Sequence, residues 1–216
     1  MTTRELVVLL DHDGQAIGTA DKATIHGPTT PLHLAFSAYL FDDRGRFLLS
    51  RRAAHKRTFP LVWTNSVCGH PGPGEPIEAA VRRRASLELG LPTIAGLHLV
   101  LPDFGYRASM AGIEEHELCP VFVGWLPAGA VPAPDPTEVA EVGWVEWDEH
   151  VCRVAADPDA WSPWTVAQLG ALAALGPDPR AWPQGDPALL PPAARTPWSG
   201  RGASGCLGKV RCRTSS

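Results

Sequence analysis

Gly69–Leu91, GHPGPGEPIEAAVRRRASLELGL, is the stretch that decides the fold. Its first six residues alternate Gly and Pro with one His, a composition that makes a loop and cannot continue a strand. Pro76 then stands at a helix first turn and Gly90 at its stop, so a helix is predicted over Pro76–Leu89. Across loop and helix, Gly69, Glu75, Arg83, Ala85, Glu88, Gly90 and Leu91 fit the spacing G-x5-E-x7-R-x-U-x2-E-x-G-U, where U is a small or apolar residue. Arg82, Arg83 and Arg84 by themselves would read as the exposed face of that helix.

Outward from this helix, Glu5–Leu10, His33–Phe41, Phe47–Leu49, Trp63–Val67, Glu117–Trp125 and Gly143–Trp147 read as strands. The Asp42-Asp43-Arg44-Gly45 turn makes a hairpin of the second and third, and Pro163–Leu175 is a closing helix stopped by Gly176-Pro177. Strands and helices alternate without a βαβ rhythm, so the expected class is α/β in the broad α+β sense: a mixed sheet flanked by helices. The 216 residues, 44% hydrophobic, suffice for one catalytic domain over 1–176. From 177 to 216 the chain turns to Pro, Ala, Gly and Arg without periodicity and reads as a poorly ordered, disordered C-terminal tail.

A net charge of −4 argues against a basic nucleic-acid-binding coat, so an anionic ligand must meet a local cluster of Lys and Arg. The amino-terminal apolar run is too short for a signal peptide or a membrane span. Five cysteines with no CxxC pair, one of them odd, fit a reducing compartment. The expectation is a cytoplasmic protein with no nucleic-acid or membrane partner, a monomer or weak homodimer.

Within Thr64-Asn65-Ser66-Val67-Cys68-Gly69-His70-Pro71, an extended backbone puts Cys68 and His70 on one side. Alone, this Cys would be a small buried apolar residue and this His a surface group. Glu115 and Glu117 likewise share a strand face while Glu114 and His116 point the other way, which is either a solvated acidic edge or a pair of oxygen ligands. With His26, His33 and His70 they would complete a three-His, two-Glu shell suited to Zn, Mn or Mg.

The 69–91 spacing resembles the Nudix box, a loop and helix that present carboxylates to the Mg2+ of a substrate diphosphate. Arg84 and Leu87 stand where the hydrolase motif has glutamates, so the Nudix fold is implied and hydrolysis disfavoured. LHLAFSAYLF, LLSRRAAHKRTFPLVWTNSVCGHP, PDFGYRA, EHELCPVF and WSPW together resemble bacterial, type 1, metal-dependent isopentenyl-diphosphate isomerases from about Glu5 to Leu175.

That resemblance implies one divalent metal, Mn2+ or Zn2+ and possibly Mg2+, on His26, His33, His70, Glu115 and Glu117. It implies Cys68 and Glu117 as the catalytic pair, with Tyr106 assisting proton delivery near Glu117. Glu88 would bind a Mg2+ that bridges to the diphosphate. Lys22, Arg52, Lys56 and Arg84 would hold the phosphates, and Trp164 would face the reacting carbons. A cation at the histidines should also favour thiolate at Cys68. The competing expectations are a Nudix diphosphohydrolase, for which the box offers only Glu75 and Glu88, and a non-catalytic metal- or diphosphate-binding module, which has no use for Cys68.

Overall fold

The computed structural model describes residues 5–196. It opens with an antiparallel pair, β1 (Leu6–Leu10) and β2 (Ala16–Asp21), followed by a long loop to β3 (His33–Leu34). The expected strand His33–Phe41 is broken at Ala35, and β4 (Phe36–Phe41) belongs to a second sheet. β5 (Phe47–Arg52) returns from the predicted turn. Trp63–Val67 is likewise two short strands, β6 (Trp63–Thr64) on β5 and β7 (Val67–Gly69) on β4. After α1 (Ile77–Leu89) come β8 (Ala95–Leu101), β9 (Gly105–Met110), β10 (Ile113–Leu118), β11 (Val121–Trp125) and β12 (Val139–Val145). Two helices, α2 (Trp147–Ala156) and α3 (Pro163–Ala173), close the core.

The run expected as one strand over Glu117–Trp125 is split at Cys119-Pro120, because Pro120 has no N–H to give a ladder. Both breaks fall side by side. β3 runs parallel to β10 in a five-stranded sheet ordered β2-β1-β3-β10-β9, and β4 runs parallel to β11 in a seven-stranded sheet ordered β12-β5-β4-β11-β8 with β6 and β7 attached. Ala35 N–H donates to Leu118 O and Ser37 N–H to Pro120 O, so the two chain segments stay paired while crossing together from one sheet to the other. The crossing places strand ends from both sheets at one spot.

β4 is buried throughout, and its alternation assigns the two faces of the larger sheet. Phe36, Ala38 and Leu40 pack with Ile77, Val81 and Leu89 of α1, whereas Tyr39 and Phe41 pack with Val154 of α2 and with Leu169 and Leu172 of α3. The mixed sheets flanked by helices agree with the expected class. Gly90 ends α1 at φ 65°. At Gly69 an added Cβ would lie 2.9 Å from Arg84 Cγ, so glycine is what lets α1 approach β7.

Two expectations need correction. Trp147, placed at the end of a strand, starts α2. The stretch from 177 is not uniform: up to Thr196 it lies against the domain in short helical turns and α4 (Pro192–Arg195). Trp182, 4% exposed, stacks edge-on against Trp147 and Phe41; Gly185 N–H donates to Leu99 O and Ala193 N–H to Gly14 O. A few well-spaced anchors hold this segment in place of a periodic apolar face. The remainder of the expected tail, 197–216, with Cys206 and Cys212, lies outside the described residues.

Candidate active site

At the sheet crossing lies a cavity of about 660 Å3. His26, His70 and Glu117 line it and, with His33, form a cluster whose ligand atoms lie within 4.8 Å of one another. Strand register builds it: β3 and β10 set His33 directly beside Glu117, His70 follows β7, and His26 comes from the loop after β2. Glu117 Oε1 is 3.0 Å from His70 Nε2 and 3.3 Å from His33 Nε2, and the two histidine nitrogens are 3.2 Å apart. His33 Nδ1–H donates to Pro31 O, 2.9 Å away, which turns Nε2 inward.

Burial works against the charge of Glu117, yet the His33 and His70 imidazoles hold its carboxyl well below the usual range. Burial depresses His26, and His70 to about 4. At His33 the same penalty is outweighed by Glu117, and the ring is raised.

The donor set fits a divalent ion. His26 Nε2 is buried and has no hydrogen-bond partner among the described residues, although it points into a cluster of other ligand atoms. Three imidazoles and a carboxylate are a borderline N/O set suited to Zn2+ or Mn2+. Glu115, expected as a fifth ligand, is outside this four-group cluster; it lines the cavity and accepts from Tyr106 Oη at 2.6 Å. Tyr106 is the cross-strand partner of Glu117, as expected for a neighbour, but its hydroxyl goes diagonally to Glu115. Glu114 faces away and is bound by Arg107 and Thr30, so it is no solvated edge.

Cys68 and Trp164 line the same cavity. Burial pushes the Cys68 thiol up to about 12, so without an ion the chain holds it protonated. Trp164 is 2% exposed and sits 5.5 Å from the Tyr106 ring, with the Arg52 guanidinium 5.5 Å over the indole.

Lys22, Arg52, Lys56 and Arg84 also line the cavity, together with Arg57. The sequence did not reveal that carboxylates accompany them. Lys22 pairs with Glu5 at 2.6 Å, Lys56 with Glu138, and Arg84 with Glu88, with Glu5 at 3.2 Å and with Glu138 at 3.4 Å. Arg84 is 4% exposed, so the reading of three arginines on an exposed helix face fails for it. Burial raises Glu88 against the lowering influence of Arg84. Glu75, the other box carboxylate, accepts from Arg83 at 2.7 Å and from Gly72 N–H at 2.8 Å, while Arg83 also donates to His70 O. These two residues therefore brace the loop that carries His70.

Residues 31–167 match the NUDIX domain model. A Saccharopolyspora erythraea isopentenyl-diphosphate Delta-isomerase is 51% identical over 88% of this chain and 97% of its own length; the protein of that name from Mycolicibacterium vanbaalenii is 56% identical over 81% and 94%. A Deinococcus radiodurans crystal structure shares the fold alone, with a TM-score of 0.58 at 19% identity over 77% of this chain and 98% of that one. With its box carboxylates tied in ion pairs and a His–Glu cluster beside a half-buried cysteine, the chain belongs to the isopentenyl-diphosphate Delta-isomerase family, built on a Nudix domain.

Proposed function

We propose that this enzyme interconverts isopentenyl diphosphate and dimethylallyl diphosphate by adding a proton on one side of the alkene and removing another on the opposite side, supplying isoprenoid synthesis. The observation that carries the reading is one cavity that joins Cys68, the Glu117 cluster and the basic residues around Arg84.

Moving the double bond converts an alkene π pair into a new C–H bond, leaves a tertiary carbocation, and then returns a neighbouring C–H pair to form the new alkene. Two proton carriers are required. In this reading Cys68 serves one face, and Glu117, assisted by Tyr106 through Glu115, serves the other. Trp164 offers an electron-rich ring to the intermediate cation, and its burial keeps water from capturing that cation. The Arg52 guanidinium lies over the same indole, 5.5 Å from its centroid.

His26, His33, His70 and Glu117, with Glu115 adjacent, would hold the resident Zn2+ or Mn2+. When bound, the ion supplies positive charge that fixes Glu117 and tunes its proton affinity. Lys22, Arg52, Lys56 and Arg84 would hold the diphosphate. Since three of them already face Glu5, Glu88 or Glu138, added positive charge favours the complex, and a Mg2+ carried with the substrate at Glu88 would provide it.

Activity is assigned to residues 1–176, in the cytoplasm, on a small-molecule substrate, by a monomer or weak homodimer without nucleic acid or membrane. No helix among the described residues is long and apolar enough to cross a membrane. Arg84 and Leu87 stand where a hydrolase box has glutamates and Glu75 is tied to Arg83, which disfavours hydrolysis.

Proton NMR of the protein with isopentenyl diphosphate, Mg2+ and Mn2+ or Zn2+ in D2O tests the reading. Dimethylallyl methyl signals and deuterium incorporation are expected, both lost in Cys68→Ala. Phosphate release without isomerisation would overturn it in favour of a hydrolase, and tight binding without turnover would favour a binding module.

A further inference from the structure

Asn65 lies in the two-residue break between β6 and β7 and is 0% exposed. Its Nδ2 donates to Ala38 O at 3.1 Å and Val67 O at 3.0 Å, two groups that can only accept, so the orientation of the amide is determined. Oδ1 must then face the other way. There it meets the Cys68 thiol at 2.9 Å and the Trp164 indole N–H at 3.2 Å, with the Thr64 hydroxyl also at 2.9 Å. Indole N–H is a donor only, which confirms the same orientation independently.

The opposite side of the sulfur is also organised. Ser37 Oγ lies 3.4 Å from Cys68 Sγ. It accepts from Gln168 Nε2 at 2.9 Å, and Gln168 Oε1 accepts from Tyr39 Oη at 2.9 Å. With its oxygen so engaged, the Ser37 hydroxyl proton is left to point toward the sulfurs of Cys68 and Cys119, both at 3.4 Å. Cys68 therefore sits between an acceptor, Asn65, and a donor, Ser37, each held by buried partners.

We propose that Asn65 is a positioning residue whose single carboxamide oxygen ties the Cys68 thiol to the Trp164 indole, setting the direction of the S–H bond and the tilt of the aromatic wall together. The catalytic roles of Cys68 and Trp164 rest on the isomerase reading; the shared oxygen does not. A proton carrier and the ring that meets the resulting cation must be correctly placed relative to each other, and a common acceptor makes one adjustment serve both. Asn65 lies outside the set of residues lining the cavity, so its loss should act on turnover and spare substrate binding.

The test uses the metal-loaded, full-length protein. In Asn65→Leu, kcat with isopentenyl diphosphate falls about 100-fold while KM and bound-metal content stay as in wild type. A loss of thermal stability with kcat per folded molecule unchanged would overturn the proposal, because that is the signature of a purely structural amide.

A second readout does not depend on turnover. The Trp164 indole N–H resonance in a proton–nitrogen NMR spectrum, assigned by its disappearance in Trp164→Phe, should move and exchange faster in Asn65→Leu. It should also move in Cys68→Ala, where the shared oxygen loses one donor and Asn65 keeps its backbone bonds. An indole resonance indifferent to Cys68→Ala overturns the shared acceptor even if Asn65→Leu fails to fold. If the wild type does not isomerise the substrate but the indole responds as stated, the isomerase reading fails and the shared acceptor stands.

Discussion

His33 and His150 are both 0% exposed, and the two regions around them use that burial in opposite ways. His33 sits in the polar cluster with Glu117, His70 and His26, where every ring nitrogen it has is engaged and the nearby carboxylate raises its proton affinity. His150, on α2, is enclosed by Phe47 at 4.7 Å, Trp161 at 4.9 Å and Trp147 at 5.6 Å between ring centroids. Neither of its nitrogens has a partner among the described residues, and burial with the repulsion of Arg153 holds it down at about 3. An imidazole buried among partners is set up for chemistry, and one buried among rings is packing. The start of α3 lies between the two regions: Trp161 faces the aromatic cage and Trp164 the cavity, one position either side of Ser162-Pro163 at the helix start.

The largest expected effect breaks the polar side. Glu117→Gln removes the carboxylate shared by His33 and His70, so turnover should drop about 1,000-fold or more and bound divalent metal should fall, read by elemental analysis beside the NMR assay. Metal retained at wild-type stoichiometry would argue that Glu117 is no ligand.

Next comes the aromatic side. Trp182→Ala should cost about 3 kcal/mol in denaturant unfolding, because Trp182 closes the cage over Trp147 and donates to Gly176 O at 2.8 Å. Metal content should not change. A variant as stable as wild type would return the 177–196 segment to the status of a loose tail.

A pH series sharpens the contrast further. His150 has a folded-state pKa below its unfolded value of 6.5, so the unfolded chain takes up the proton first and stability is lost as pH falls below about 6.5 toward 3. From pH 7 to 5 that contribution amounts to about 2 kcal/mol. Comparing wild type with His150→Leu isolates it from the other histidines: the variant should lose less stability over the same interval, and parallel curves would show that His150 finds a partner or water.

The smallest effect is at the junction. Ser162 Oγ accepts from Thr165 N–H and caps α3, so Ser162→Ala should destabilise by about 1 kcal/mol, measured by thermal unfolding. A simultaneous fall in kcat would mean that the position of α3 reaches the cavity through Trp164.

What was legible in the sequence alone is what short-range chemistry controls. Gly69–Leu91 announced its own loop and helix because Pro76 and Gly90 act within a turn of where they stand. The shared face of Glu115 and Glu117 followed from the two-residue period of a strand. The sequence offered candidate residues but not their partners. Glu138 and Glu5 meet Arg84 across 54 and 79 positions, Asn65 meets Trp164 across 99, and no local pattern encodes such pairings. The apolar run Glu117–Trp125 reads as one strand despite Pro120, and only the parallel pairing of β3 with β10 and of β4 with β11 reveals the sheet crossing where the site is built. The 177–196 segment misled for the same reason: its few anchors lack periodicity, and their burial depends on a cage assembled from β4, β5 and α2. Sequence thus determined which groups were available and which way neighbours point, whereas tertiary structure decided who meets whom, because burial and register are properties of contacts between distant segments.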